Sequence, residues 1–454
     1  MGRLPETSTG NRGGPLSSGK GTPAADMEAA VMRIRKSVQD HSIWFENALP
    51  LIASENLLSP YAKEMMISDF HSRYAEGLPG ERYYQGNQWV DEVEIECLKL
   101  ARQLFKCDFA DVRPISGTVA NMAVLKAMTE PGDKIGSCRL SEGAHISSAS
   151  FGAFGIRGVK PLYYAFDPKA MQIDLEETRR ILLKERPRLC LFGLSLFLFP
   201  FPLKELRSTL EEIGARSWYD GAHVLGLIAG GQFQDPLHEG CVVMSASTHK
   251  TLPGPQHGIL LGQSREEELK KRLQSAAFPG VTSNHHLHTM AALAVSLAEH
   301  IAFGQEYALA TVKNARALAQ GLHSRGFEVL CADRGFTASH QVAIRVAKEG
   351  GGDACAKALE TAGIVVNKNL LPGDKSPKQP EGLRLGTQEL TRVGMGVSEM
   401  DQVAELIHRL LHKGAKPEEV QAAATELKGG FTTLRYCFGA GEAAYRYTEL
   451  VGRE

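Results

Sequence analysis

The segment STHKTLPGP, residues 247–255, directly follows a short run of apolar residues at 241–245. A short, continuous apolar run is typical of a strand that is covered on both faces of a sheet, so the segment is predicted to lie at the end of a buried strand. A lysine held there, among polar residues and a glycine turn, can be partly desolvated and placed close to a carbonyl compound, which favours Schiff-base chemistry. Lys250 taken alone is more simply interpreted as a solvated loop lysine. The residues predicted to lie near it in the fold therefore decide whether it is interpreted as a Schiff-base lysine.

Two other predicted strand ends carry complementary residues. In YDGAH, residues 219–223, Asp220 follows an apolar run. An acid there can keep the ring nitrogen of pyridoxal phosphate protonated, although it can also cap a helix or bind a metal. Residues 116–118, SGT, precede a helix predicted over 119–128, where backbone N–H groups and the helix dipole favour a phosphate; an ordinary N-cap is the alternative. Together, a phosphate seat, an acid and a lysine at junctions of one sheet predict a pyridoxal phosphate site.

The wider pattern predicts an α/β fold with a mainly parallel sheet. Short apolar runs without strict alternation predict strands at 135–138, 161–166, 189–196, 217–219, 241–245 and 259–261. Helices are predicted between several of them, including 119–128 and 203–213. After residue 284 the chain becomes rich in Ala and Leu at helical spacing, at 290–302 and 307–322. Strand-like pieces at 327–330, 341–346 and 364–366, with a helical tail from Glu399, predict a smaller C-terminal α/β domain.

Composition excludes several classes of protein. The 454 residues carry 51 Lys and Arg against 52 Asp and Glu, a net charge of −1, which argues against a nucleic-acid-binding surface. The most apolar stretch, 189–203, is interrupted by Gly and Pro and is shorter than the roughly 20 residues of a membrane helix. We therefore expect neither a membrane nor a nucleic acid as partner. No secretory signal is visible and the 8 cysteines are scattered, which predicts a cytoplasmic protein with reduced thiols.

Four segments are predicted along the chain. Residues 1–26 are rich in Gly, Ser, Thr and Pro and are expected to be a disordered tail. Residues 27–50 form an N-terminal helical arm, with apolar residues at helical spacing. The large cofactor-binding domain is predicted over 51–290. Residues 291–454 are expected to supply the linking helices and the small C-terminal domain.

Six motifs resemble those of the serine hydroxymethyltransferase family: LIASEN (51–56), YAEGLPGERYY (74–84), DGAHV (220–224), THKTL (248–252), VNKN (366–369) and GLRLGT (382–387). The resemblance extends from about residue 27 to the C-terminus. It implies a fold type I, pyridoxal phosphate-dependent transferase with a mainly parallel, seven-stranded sheet covered by helices. It also implies one-carbon metabolism and amino-acid biosynthesis: serine and a reduced pterin are interconverted with glycine and the methylene-pterin, by a homodimer with shared active sites.

The resemblance assigns roles to residues at matching positions. Lys250 matches the Schiff-base lysine, Asp220 the partner of the pyridine nitrogen, His145 the imidazole stacked on the cofactor, and Arg384 the arginine that holds the amino-acid carboxylate. Glu76 matches the glutamate used for proton transfer and substrate contact. The remaining matches are Ser195 and His223 near the cofactor's phenolic oxygen; Ser116, Gly117, Thr118, Ser247 and His249 around the lysine and phosphate, His249 also as a catalytic residue; Tyr74 and Tyr84 beside Glu76; Ser54 at the substrate; and Asn369 near the pterin.

Some positions depart from the family pattern. The segment FPGVTSNHHLH, residues 278–288, replaces a glycine-rich segment, so phosphate contacts from the partner subunit are expected from Ser283 and Asn284. Its three histidines also permit a metal site, but no carboxylate or cysteine stands at ligand spacing, and no metal is predicted. Gln256 and His257 stand where most bacterial and eukaryotic members have Arg-Gly, and 194–200 is unusually apolar. These departures resemble the archaeal-type branch, whose carrier is tetrahydrofolate, tetrahydromethanopterin or another modified folate.

Two alternative functions remain open at the level of sequence. A pterin-independent threonine aldolase or transaldolase of the same fold fits the altered 278–288 segment, whereas Glu76, Tyr84 and Asn369 favour the pterin enzyme. A catalytically inactive scaffold or RNA-binding relative is the other alternative. The complete set of Lys250, Asp220 and Arg384 argues against it.

Overall fold

The computed structural model describes residues 23–264, 266–376 and 378–451, which fall into two units. The smaller unit comprises residues 23–44 and 446–451, and the larger comprises 45–445. In the smaller unit, Arg35 forms an ion pair with Glu449 at 3.2 Å and donates to the carbonyl of Val451 at 2.9 Å. Residues 1–22 of the predicted tail lie outside the described residues, and its last four residues, 23–26, are helical.

Helices and strands alternate along most of the described chain. The helices are α1 Pro23–Asn47, α2 Pro60–Met66, α3 Gln88–Phe105, α4 Gly117–Met128, α5 Ala153–Arg157, α6 Leu175–Glu185, α7 Leu203–Ile213, α8 Leu225–Ala229, α9 Glu267–Ser275, α10 Leu287–Ser324, α11 Gly352–Thr361, α12 Gln388–Arg392, α13 Val397–Leu411 and α14 Pro417–Gly429. The strands are β1 Leu49–Pro50, β2 Gly77–Leu78, β3 Glu81–Arg82, β4 Phe109–Asp111, β5 Lys134–Ser137, β6 Lys160–Tyr163, β7 Phe166–Asp167, β8 Gln172–Ile173, β9 Leu189–Phe192, β10 Arg216–Asp220, β11 Val243–Ser247, β12 Gly258–Gly262, β13 Glu328–Val329, β14 Gln341–Arg345, β15 Ile364–Val365, β16 Asn367–Asn369 and β17 Gly382–Gly386.

A seven-stranded sheet in the order β4-β12-β11-β10-β9-β5-β6 forms the centre of the larger unit. Six strands point in the same direction, and only β12 is reversed, running antiparallel to its neighbours β11 and β4. Every residue of β9, β11 and β12 is buried, as expected for strands covered on both faces. The α/β class and the mainly parallel sheet are therefore confirmed. The three-residue strand β4 was not predicted, because so short a run carries no periodic signal.

Two predicted strands of this sheet are too long. The run 189–196 is a strand only to Phe192, because Gly193 lies so close to Asp220 that a Cβ atom there would be 2.5 Å from the Asp220 carbonyl oxygen. The following residues form a buried loop in which the Ser195 amide donates to the Gly143 carbonyl. The run 161–166 divides into β6 and β7, and β7 pairs with β8 in a separate hairpin.

An antiparallel sheet, β13-β14-β17-β16, lies in the C-terminal half of the larger unit. The predicted piece 364–366 does not join this sheet; β15 pairs instead with β1, with Leu49 opposite Ile364 and both fully buried. The predicted helical tail is also only partly correct. Helix α14 ends at Gly429, since two consecutive glycines have low helix propensity, and residues 430–445 are irregular apart from a bridge between Thr433 and Ala443.

Helix α10 joins the two predicted segments 290–302 and 307–322 into one helix of 38 residues. Gly304 within it allows close packing, since a Cβ atom there would lie 2.4 Å from the His300 ring. By length and composition α10 could cross a membrane, but 67% of its most apolar window is buried inside the protein, as in a core helix.

Candidate active site

A cavity of about 220 Å³ opens where the carboxyl ends of β10 and β11 meet the start of α4. Open parallel sheets commonly bind ligands outside the carboxyl ends of their strands. The lining combines one lysine, three histidines, three hydroxyls and one carboxylate. The lining residues are Ser116, Gly117, Thr118, Asn121, His145, Leu194, Asp220, Ala222, His223, Ser247, His249 and Lys250. Nine of the predicted site residues therefore share one cavity.

The start of α4 forms one wall of the cavity. Ser116 is the N-cap, and its hydroxyl accepts from the Val119 amide at 3.2 Å. Gly117 is packed so tightly that a Cβ atom there would lie 2.2 Å from the Ser247 hydroxyl. The exposed Thr118 completes the turn. Backbone N–H groups of this twelve-residue helix point toward the cavity end, which suits a phosphate group.

Asp220 ends β10 and is buried. One carboxylate oxygen accepts from the Asn121 side-chain amide at 2.8 Å and the other from the Ala222 backbone amide at 3.0 Å. Asn121 is itself fixed, because its oxygen accepts from the Ser245 hydroxyl at 2.6 Å and its amide also donates to Ser147 at 3.1 Å. The carboxylate is thus held rigidly at the cavity wall.

Lys250 lies behind the end of β11, with only 7% of its surface exposed. Its Nζ donates to the Ser247 hydroxyl at 3.3 Å, and its carbonyl accepts from the side-chain amide of Asn56 at 2.6 Å. Among the described residues it forms no ion pair. Burial lowers the pKa of Lys250 to about 8, with the Asp220 charge opposing the shift and Arg384 adding to it. A far larger fraction of this amine than of an exposed lysine is therefore neutral and nucleophilic near neutral pH, although most of it is still protonated.

Arg384 comes from β17 of the antiparallel sheet and is 7% exposed. Its Nη1 donates to the carbonyl of Ser195 at 2.8 Å and to the hydroxyl of Ser195 at 2.9 Å, and its Nε donates to the Asn367 side-chain oxygen at 3.2 Å. No carboxylate in the described part of the chain forms an ion pair with it. Burial lowers the pKa of Arg384 to about 10. A buried guanidinium with spare donors and no counter-ion is suited to a carboxylate ligand.

Three histidines at the cavity are kept uncharged mainly by burial. The pKa of His223 falls well below its ordinary value, through burial and then the Lys250 and Arg384 charges, and its Nε2 lies 3.3 Å from the Ser195 hydroxyl. The pKa of His249 falls to about 4. The pKa of His145 is also lowered by burial, partly opposed by Asp220, and its Nδ1 accepts from the Ser147 amide at 3.2 Å. Neutral rings can stack on, or donate to, a bound group.

These residues fit pyridoxal phosphate. The cavity supplies a lysine amine, a carboxylate at a strand end, a helix N-terminus and a glycine wall that excludes any side chain. His249 Nδ1 is buried without a hydrogen-bond partner among the described residues, which is a group that a ligand atom can satisfy. The residues that line the cavity offer oxygen and nitrogen atoms for hydrogen bonds. Such a lining can bind an anionic, planar molecule, as the predicted cofactor requires.

A second group of predicted residues lies apart from the cavity lining. Glu76 accepts from the Ser283 hydroxyl at 2.5 Å, and the Asn284 side chain bonds the Ala75 amide at 2.9 Å. Tyr74 and Tyr84 face one another edge to face, with ring centroids 5.7 Å apart, and both are exposed. These residues line a loop cluster, and none of them is among the residues that line the cavity of the same chain.

Ser54 and Asn369 also lie outside the cavity lining. Ser54 is in the turn after β1, next to Ala53, whose carbonyl accepts from His340 at 3.0 Å. The Asn369 side chain donates to the Leu370 carbonyl at 2.7 Å, and it is Asn367, two residues earlier, that contacts Arg384.

The histidines at 285, 286 and 288 do not converge on one point: His286 and His288 stack with ring centroids 5.9 Å apart, whereas His285 turns to a different partner. His285 is buried and contacts Glu94 at 3.1 Å, and Glu94 is also bound by Arg82 at 2.6 Å. The His288 ring packs edge to face on His71, with centroids 4.5 Å apart. The described residues include no group of three or more ligating side chains that could hold a metal ion.

Sequence reasoning missed four polar residues of the site: Asn56, Asn121, Gln341 and Asn367. Asn121 carried a usable signal, since it stands one helical turn after Gly117 and so faces the same side of α4. The other three contact the site across the fold.

Comparison with known proteins gives a consistent result. A sequence model of the family described as serine hydroxymethyltransferase matches residues 26–407. A serine hydroxymethyltransferase of Thermoplasma volcanium is 50% identical over 92% of this chain and 99% of its own, and that of Methanopyrus kandleri is 49% identical over 92% and 98%. These relatives are archaeal, which confirms the predicted branch. The crystal structure of an L-threonine transaldolase from Pseudomonas fluorescens has a TM-score of 0.82 at 28% identity, covering 91% of this chain and 95% of that one. The chain therefore belongs to the serine hydroxymethyltransferase family and is a pyridoxal phosphate-dependent transferase.

Proposed function

We propose that this chain transfers the hydroxymethyl group of serine reversibly to a reduced pterin, giving glycine and the methylene-pterin. One observation supports the proposal: the buried Arg384, without a counter-ion among the described residues, binds Ser195, whose hydroxyl contacts His223 in the lining of the cavity that holds Lys250. A free amino acid supplies both groups that this arrangement lacks, an amine for exchange at the lysine site and a carboxylate for the guanidinium.

When bound, pyridoxal phosphate supplies an electron sink for cleavage of the Cα–Cβ bond of the amino acid. Lys250, with its lowered pKa, holds the cofactor and later takes or returns a proton at Nζ. Asp220, fixed by Asn121 and the Ala222 amide, keeps the cofactor's ring nitrogen protonated. Arg384 fixes the carboxylate and thereby the orientation of the bond that breaks.

We propose that the active site is completed across a homodimer. The Glu76 loop cluster, with Tyr74, Tyr84, Ser283 and Asn284, is separate from the cavity lining of its own chain. The exposed aromatic rings of Tyr74 and Tyr84 are the kind of side chain that becomes buried at interfaces. Glu76 of one subunit then manages the proton at the serine hydroxyl in the cavity of the other. Ser283 and Asn284 contribute to the phosphate, and Asn369 and Ser54 contact the pterin and the substrate.

The pterin carrier is either tetrahydrofolate or tetrahydromethanopterin. Two features of the chain support a cytoplasmic enzyme with no nucleic-acid or membrane partner: the net charge is −1, and the long apolar helix α10 is mostly buried.

The test is glycine formation by purified, cofactor-loaded protein from serine, with tetrahydrofolate, tetrahydromethanopterin or no pterin. We expect turnover with one carrier and little without. Arg384→Lys keeps a positive charge but loses the bidentate fork. We therefore expect kcat/KM to fall by at least about 100-fold, which corresponds to a loss of transition-state stabilisation on the order of 3 kcal/mol. Cofactor binding should be retained. Turnover independent of any pterin would contradict the proposal.

A threonine aldolase or transaldolase activity is the second candidate, favoured by the similarity to the transaldolase of known structure. The same assay distinguishes it with threonine and an added aldehyde in place of serine and pterin. Faster turnover of threonine than of serine, under saturating pterin, would replace the first proposal with the second.

A further inference from the structure

Gln341 is the first residue of β14, in the antiparallel sheet, and its side chain is fully buried against the loop of the central sheet that carries Ser195. Its Oε1 accepts from the Phe197 backbone amide at 2.6 Å. Its Nε2 donates to the Ser195 carbonyl at 2.9 Å and lies 2.9 Å from His223 Nδ1. Every polar atom of this amide is therefore used, at a residue with no assigned role.

Two backbone groups fix which end of the Gln341 amide is which. The Phe197 N–H can only donate, so it must face the oxygen, and the Ser195 carbonyl can only accept, so it must face the nitrogen. The nitrogen then has a second hydrogen to donate, and within the described ranges of the chain the only acceptor it meets besides that carbonyl is His223 Nδ1. The imidazole must accept at Nδ1 and carry its single proton at Nε2.

We infer that Gln341 is a positioning residue that fixes His223 as the Nε2–H tautomer and holds the Ser195 carbonyl where Arg384 also binds it. The inference deepens the proposed function and rests on it for the identity of the bound group. His223 lines the cavity, and its Nε2 lies 3.3 Å from the Ser195 hydroxyl. The imidazole thus presents a hydrogen-bond donor, rather than a lone pair, to the Ser195 hydroxyl and to the cavity that would hold the cofactor.

The burial of His223 supports this assignment. Burial, together with the Lys250 and Arg384 charges, lowers its pKa well below the ordinary value, so the ring stays neutral and has one proton to place.

Gln341 also connects His223 with the Ser195 carbonyl that Arg384 binds. The Ser195 carbonyl accepts from Gln341 at 2.9 Å and from Arg384 at 2.8 Å, so loss of Gln341 removes one of the two hydrogen bonds that hold the carbonyl to which Arg384 is bound.

The test uses three variants. Gln341→Met removes the amide at similar size. Gln341→Glu, when ionised, can only accept, so His223 Nδ1 must carry a proton; in buffer alkaline enough to keep the ring neutral, Nε2 then presents a lone pair. Gln234→Met is the matched control: Gln234 is also buried and binds both backbone groups of Phe201, at 2.9 Å each, without contacting His223, Ser195 or Arg384.

The first readout is ¹⁵N NMR of the labelled wild-type holoenzyme, with the His223 signals assigned by their loss in His223→Asn. We expect a proton on Nε2 and a scalar coupling across the hydrogen bond between Gln341 Nε2 and His223 Nδ1. The coupling should persist in Gln234→Met and vanish in Gln341→Met. A wild-type His223 with its proton on Nδ1 overturns the inference whatever the variants do.

The second readout is the dissociation constant of pyridoxal phosphate, because a donor facing a charged oxygen is worth a factor of roughly 10 to 100. We expect Gln341→Glu to bind the cofactor more weakly than Gln341→Met by about that factor, and Gln234→Met to bind like the wild type. Equal weakening in the two Gln341 variants would leave only a packing role and overturn the inference. Failure of the wild type to bind the cofactor would instead contradict the proposed function.

Discussion

Replacing Lys250 with Met should make the cofactor-free protein more stable while abolishing turnover. Burial lowers the pKa of Lys250 from 10.5 to about 8, which at 1.36 kcal/mol per pH unit means that the protonated amine costs the folded state about 3 kcal/mol. The hydrogen bond to Ser247 offsets about 1 kcal/mol of this. The net gain for Lys250→Met near neutral pH is therefore about 2 kcal/mol.

The sign of the pH dependence tests the cause of this effect. The folded-state pKa lies below the unfolded value, so between pH 8 and 10.5 the unfolded chain binds more protons and the wild type gains stability as the pH rises. The advantage of Lys250→Met should accordingly shrink across that interval. Urea unfolding of the cofactor-free wild type and the cofactor-free Lys250→Met variant at several pH values measures this difference in the free energy of unfolding. Lys184→Met, at an exposed lysine, is the control for the loss of one charge. A variant that is no more stable than the wild type, or whose advantage is constant with pH, would refute the burial argument.

Two further substitutions test the residues that would bind the cofactor. Asn121→Ala removes the bond that fixes the Asp220 carboxylate, and should weaken pyridoxal phosphate binding roughly 10-fold, measured by absorbance titration; unchanged affinity would show that the Ala222 amide alone suffices. Gly117→Ala would place a Cβ atom 2.2 Å from the Ser247 hydroxyl, so we expect displacement of the helix start, a lower melting temperature and loss of cofactor binding; a fully loaded variant would contradict the close approach.

The central sheet was predictable because its strands are short, buried on both faces and separated by helices with clear ends. Helix α7 matches its predicted bounds, 203–213, because its apolar spacing is regular and Gly214 follows in a left-handed conformation with φ of 68°. The division of 189–196 was not predictable, since all of its residues except Gly193 and Ser195 are buried and only the approach of Gly193 to Asp220 ends the strand.

The placement of Lys250 and Asp220 at one cavity was predictable, because each lies in a motif that follows a buried strand. Residues that act by contacting other residues were not. Gln341 stands 118 residues from His223 along the chain, and no local pattern connects them. The separation of the Glu76 cluster from the cavity lining is likewise a property of the folded chain, although the resemblance had already implied that sites are shared between subunits.

The buried charges of the site also favour the binding of an amino acid. Lys250 and Arg384 are both buried, and each lacks an ion-pair partner among the described residues; the Arg384 charge contributes to the low pKa of Lys250. A carboxylate bound at Arg384 neutralises that charge, so the pKa of Lys250 must rise by linkage. A bound carboxylate would therefore make the Lys250 amine a better proton acceptor, and its departure would lower the pKa of the amine to about 8 again.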